Sequence, residues 1–211
     1  KRKSKIRNPR GDAWSQGAGG RHGEAYSLVR GALVALPNVP VANLQSGIAQ
    51  ARLKHFDLAI APLRKAVTAQ PDNGMGHYEL GLALFETGDW KGAAPEFDAA
   101  AARAPRWADA HFSLAAVYAR IDRVPEAMTE LDTTLGLSPD HYRANLLRGR
   151  ILSLQGNPLG ALDNLEKATQ VQPDSSEAHS FLADAYQQLG RVADAERERA
   201  AVRKLAVPVS R

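Results

Sequence analysis

Apolar side chains recur along this chain at spacings of three and four residues, interrupted by glycine, proline and charged turns. Residues 24–36 show the rule: Ala25, Leu28, Val29, Ala32, Leu33 and Leu36 fall on one stripe of a helix. The stripe then returns at a fixed interval. Pro37, Pro71, Pro105, Pro139 and Pro173 stand 34 residues apart, and Ala25, Ala59, Ala93, Ala127, Ala161 and Ala195 keep the same step. A third column, Gly47, Gly81, Ala115, Gly149 and Ala183, holds only small residues. A period of this length predicts one helical hairpin per repeat, stacked into an all-α, right-handed solenoid. The small column is what two helices need where their axes come close, since a larger side chain would hold them apart.

The predicted layout is an arm over 1–23, then an array over 24–206. The arm carries Pro9, Gly11, Gly17, Gly19 and Gly20 and too little apolar side chain to fold alone. The array opens with a lone helix over 24–36, matching the second helix of each later unit, and continues as five repeats at about 40–73, 74–107, 108–141, 142–175 and 176–207. Gly88, Gly156 and Gly190 fall at the turn inside a hairpin, where a left-handed residue is wanted; Asp122 and Lys54 hold that place in the other two. Asp72, Asp140 and Asp174 follow the prolines as expected helix caps. In the last unit Arg199 stands where Val29, Leu63, Phe97, Leu131 and Leu165 stand earlier, which makes the outer face polar, as a terminal cap requires.

Three stretches carry a more specific likeness: GHYELGLALFETGDWKGAAPEFDAAAARAP, ADAHFSLAAVYARIDRVPEAMTELDTTLGLSP and SEAHSFLADAYQQLGRVADAERERA. They resemble tetratricopeptide repeats, whose first helix takes a bulky residue, then Leu, a small residue and an aromatic. The chain answers with His77, Leu80, Gly81 and Leu84, with His111, Leu114, Ala115 and Tyr118, and with His179, Leu182, Ala183 and Tyr186. Ser46, Gln50 and Arg148 depart from the pattern, so bent, shifted or partner-covered first helices are expected there. The pentatricopeptide family, which is similar and reads RNA, has a 35-residue period; the period here is 34.

Charge narrows the partners. The net charge is +4, but six basic side chains lie in the first ten residues, leaving 21 basic against 23 acidic in the remainder. The arm is thus an expected electrostatic contact for an anionic surface, and the body is not a nucleic-acid-binding surface. Arg10-Gly11-Asp12 spells the tripeptide that integrin-binding proteins display, a three-residue match that recurs by chance. The absence of cysteine excludes disulfides, thiolate metal sites and thiol catalysis, while leaving the compartment open. No apolar run approaches the ~20 residues of a membrane span. A chain that begins without Met and lacks a signal-peptide core reads as a processed form or a piece of something longer.

His77, His111 and His179 share one repeat position and read as packing residues on stacked helices; His22, His55 and His141 have no partners at ligand spacing. No nucleophile, phosphate-loop or metalloprotease motif is present. The expectation is therefore no catalytic residue, no metal, no cofactor and no small-molecule substrate.

The resemblance implies a concave face built from the first helices. Mapping the family's inward positions gives Leu44 and Ile48; Tyr78, Leu82 and Phe85; Phe112, Ala116 and Arg120; Arg143, Leu146 and Arg150; and Ser180, Asp184 and Gln188. The candidate partner-binding residues are Tyr78, Leu82, Phe85, Phe112, Arg120, Arg143 and Arg150, an apolar part followed by three arginines. This suits a protein or peptide segment with hydrophobic anchors and acidic groups. The Lys and Asn that let some family members clamp a terminal carboxylate are replaced by Leu44, Ile48 and Ser113, which argues against a receptor for chaperone tails. The reading is a non-catalytic interaction scaffold. Its alternative is an assembly subunit, or a module of a larger protein, that uses the uncapped N-terminal end for oligomer or domain contacts.

Overall fold

The structure, a computed structural model, describes residues 40–206. The arm, the lone helix over 24–36 and Val207 lie outside the described residues. Ten α-helices and no strand form among the described residues. Five first helices, α1 (Pro40–Arg52), α3 (Gly74–Glu86), α5 (Ala108–Arg120), α7 (Tyr142–Leu154) and α9 (Ser176–Gln188), each have 13 residues and begin 34 residues apart. Their partners are α2 (Phe56–Ala69), α4 (Trp90–Arg103), α6 (Val124–Leu137), α8 (Pro158–Val171) and α10 (Val192–Ala206).

The chain divides between Ala104 and Pro105 into two compact units. In the first, α1 packs on α2, α2 on α3 and α3 on α4, and α1 also touches α3. In the second the same order runs from α5 to α10, with α5 against α7 and α7 against α9. Successive first helices are thus neighbours within each unit.

The periodic columns explain why these segments become hairpins. Ala59, Ala93, Ala127, Ala161 and Ala195 are all fully buried, in the second helix where it meets the first. Opposite them lies the small column. A Cβ added to Gly47 would sit 2.3 Å from Leu63 Cγ, one on Gly81 2.8 Å from Phe97 Cδ1, and one on Gly149 2.5 Å from Leu165 Cγ. Leu63, Phe97 and Leu165 therefore lie where a larger residue in the first helix would have to be. Ala115 and Ala183 are buried in the equivalent places. The turn residues have the expected left-handed backbone, with φ of 61° at both Lys54 and Asp122 and 72–84° at Gly88, Gly156 and Gly190.

The caps differ from expectation by one residue. Asn73, His141 and Ser175, not Asp72, Asp140 and Asp174, accept from the backbone N–H three residues on. With the helices starting at Gly74, Tyr142 and Ser176, the aspartates sit one position too early to reach that donor. Two of them bridge sideways instead: Asp72 accepts from Arg103 at 3.4 Å and Asp140 pairs with Lys167 at 2.7 Å. The unusual first helices keep their length and register. Ser46 and Gln50 are buried in α1, with Gln50 Oε1 3.1 Å from His55 Nδ1. Arg148 of α7 donates to Asp132 at 3.0 Å and to Asn164 at 2.7 Å, so a polar link to the second helices replaces the usual leucine.

Candidate interaction surfaces

The repeated histidines do more than pack. Nδ1 of His77, His111 and His179 meets the carboxylates of Glu96, Glu130 and Glu198 at 2.7, 2.7 and 2.6 Å. Nε2 of the same rings reaches the carbonyls of Pro71, Pro105 and Pro173 at 2.9, 3.2 and 3.0 Å. Each ring straps the turn before its helix to the second helix of its own hairpin. In the fourth repeat Asn145 and Asn164 replace the pair: Asn145 donates to Pro139 O at 2.9 Å and accepts from Asn164 at 3.1 Å. These histidines are thus structural. Among the described residues no cluster of His, Asp and Glu could hold a metal ion. Removing a strap leaves two acceptors without their donor, so His111→Ala should lose about 1–3 kcal/mol in urea melts. His111→Asn, which copies the fourth repeat, should lose clearly less.

A second polar link ties α8 to α9. Tyr186, which is nearly buried, donates its hydroxyl to Glu166 at 2.7 Å. Burial, and then the neighbouring carboxylate, push its phenol up to about 12 from an ordinary value of 10.0. The fold favours the protonated form, so this contribution is complete below about pH 10 and is lost as pH rises from there through 12. In a tyrosinate absorbance titration of the folded protein, Tyr186→Phe should remove a phenol that ionises at about pH 12.

The first-helix faces are where the expected partner residues lie. In the first unit Tyr78, Leu82 and Phe85 are half-buried on α3, and Val41 and Met75 are about half-exposed at the corresponding starts of α1 and α3. The Tyr78 ring packs edge-on to Phe97, 5.6 Å between centroids, which fixes it from beneath. Glu79 is also buried here, and burial raises its carboxyl above the usual range against the opposing pull of Arg52.

In the second unit the outcome is more particular. Phe112, expected as an accessible anchor, is only 5% exposed. Its ring lies between the Arg143 guanidinium, 4.6 Å from the ring centroid, and the His141 imidazole, 4.9 Å between centroids. His141 is held in turn as the cap of α7, its Nδ1 accepting from Ala144 N at 3.1 Å while Nε2 donates to Asp109 at 3.1 Å. Phe112 therefore acts as a platform under Arg143. Arg150 has a platform too, the ring of Phe181, 5.9 Å away. Arg120 and Arg143 are exposed and Arg150 half-buried.

Two residues of this face are missing from the mapped set. Phe181 is the neighbour of Ser180, the position that the mapping selects. Leu154, 80% exposed at the end of α7, could have been found from the register, because it stands 34 residues from both Arg120 and Gln188.

Tandem hairpins of this geometry define a tetratricopeptide repeat solenoid, and the chain belongs to the tetratricopeptide repeat family. Family models described as tetratricopeptide repeats match residues 78–142 and 152–206. Among solved structures it is similar to the MamA protein, at 20% identity and TM-score 0.72 over 79% of this chain and 91% of that one. It is also similar to YrrB, a TPR protein with an unusual peptide-binding site, at 16% identity and TM-score 0.69 over 84% and 92%. A third is TTC0263, a thermophilic TPR protein of Thermus thermophilus, at 22% identity and TM-score 0.61 over 80% and 92%. No curated protein matches the chain. Among the described residues no helix is long and apolar enough to cross a membrane.

Proposed function

We propose that the chain is a non-catalytic scaffold that takes a protein segment on the first-helix faces of its repeats. The observation that carries this is the apolar group on α3. Tyr78, Leu82 and Phe85 are large, half-exposed and held by the helices beneath them, the character of side chains that gain most from a partner. Membership of the repeat family supports an interaction role, and a peptide-binding site is described for one structural neighbour, YrrB. In this reading the apolar group of the first unit sets the affinity for the segment that unit takes, and Arg120, Arg143 and Arg150 set orientation and association rate for a segment on the second unit. The alternative contact at the N-terminal end falls on residues outside the described ones.

The test is capture of partners by wild type and by Leu82→Asp and Phe85→Ala, each confirmed folded by circular dichroism. Phe85→Ala should weaken a captured partner by about 1–3 kcal/mol at any ionic strength, and Leu82→Asp should abolish capture. An unchanged partner set would move the interaction to another face.

A further inference from the structure

We infer that the second unit reads an acidic, extended segment: two carboxylates three residues apart, followed three residues later by an apolar side chain. This deepens the scaffold reading and rests on it. The recognising groups are Arg143, Arg150 and Leu154, all on α7. Seven residues of helix separate the two arginines and four more lead to Leu154, intervals that return to nearly the same face. Along the axis these are about 10 Å and about 6 Å at 1.5 Å per residue. An extended chain with three residues per turn advances about 3.1 Å per residue, so side chains three apart share a face, each roughly 9 Å from the next.

What singles out these arginines is how they are held. Arg148, on another side of α7, is consumed by Asp132 and Asn164. Arg143 and Arg150 form no salt bridge among the described residues, and each guanidinium is set over a phenylalanine ring, Phe112 or Phe181. Stacking fixes the plane of the fork and leaves its N–H edges for a bidentate carboxylate. Much of the ordering is then done before a ligand arrives. On the neighbouring first helix α5 the carboxylate of Asp109 is already engaged, accepting from His141. Leu154, 80% exposed, supplies the apolar end of the pattern.

The probe is a fluorescein-labelled peptide in a serine background, with two glutamates three residues apart and a leucine three beyond, made in both chain directions. Fluorescence anisotropy at low salt should show binding by the full chain in one direction. Replacing both glutamates by glutamine, or the protein's arginines by Arg143→Gln/Arg150→Gln, should weaken it by about tenfold or more, and leucine to serine should weaken it further. Arg197→Gln, which removes a cation paired to Asp194 on α10, should change nothing. Failure of the glutamate peptide to bind, equal binding of the glutamine peptide, or displacement by single-stranded RNA at lower concentration than by unlabelled peptide overturns the inference. If capture of a partner is lost in Leu82→Asp but indifferent to the double arginine variant, the scaffold reading stands and this inference falls.

Discussion

Gly149→Ala and Leu165→Ala should each destabilise the second unit, and combining them should cost less than the two losses added. The added methyl would sit 2.5 Å from Leu165 Cγ and 3.3 Å from Ala161 O. The leucine would have to leave its rotamer or the helices would have to part, at about 1–3 kcal/mol. Leu165 is fully buried, so truncating it leaves a void lined by Leu146, Leu162 and Leu182 of the same cluster and costs about 2–5 kcal/mol. In the double variant the new methyl occupies part of that void, and a coupling of at least ~0.5 kcal/mol is expected. Urea midpoints of the four proteins measure it. Strict additivity would mean that α7 and α8 do not meet where the small column places them.

Leu131→Arg should unfold the second unit, whereas Arg199→Leu should leave stability within about 1 kcal/mol of wild type. The two positions are equivalent in the repeat and opposite in environment. Leu131 is fully buried among Phe112, Ala115, Ala127 and Ile151, a cluster with no carboxylate to pair a guanidinium, and an unpaired buried charge costs several kcal/mol. Arg199 is partly exposed, with Glu196 at 2.9 Å and Gln187 at 3.3 Å. Helical signal on heating reads both variants. A folded Leu131→Arg protein would show that this column can turn outward in the middle of the unit, and the polar outer face of α10 would lose its explanation.

Hairpin architecture was legible because packing imposes strict period. A glycine under Leu165 and a left-handed residue after each first helix have few substitutes, so they recur in phase and can be read from one sequence. Even Lys54 and Asp122, which are not glycine, were placed correctly from the register alone. Caps were harder, since Asp72 and Asn73 are both capping residues and only the start of the helix chooses between them. The straps were hidden for another reason. His and Glu 19 residues apart look unrelated until two antiparallel helices bring them together, although that interval recurs in three repeats. On the candidate surface Phe112 is less accessible than the register suggests. Register says which side of a helix Phe112 is on, but not that Arg143 and His141, from the next repeat, cover its ring.

The identical 34-residue start-to-start interval has an evolutionary reading. Removing residues 142–175 from the gene would bring Ser176 directly after His141, and His141, which already caps a helix of this kind, would stand where Ser175 now does. Phe112 and Phe181 would both survive while the two guanidiniums resting on them vanished. One in-frame recombination event could thus change what the chain recognises and leave every remaining joint in phase, so that ligand preference is heritable in whole hairpins, separately from the ability to fold.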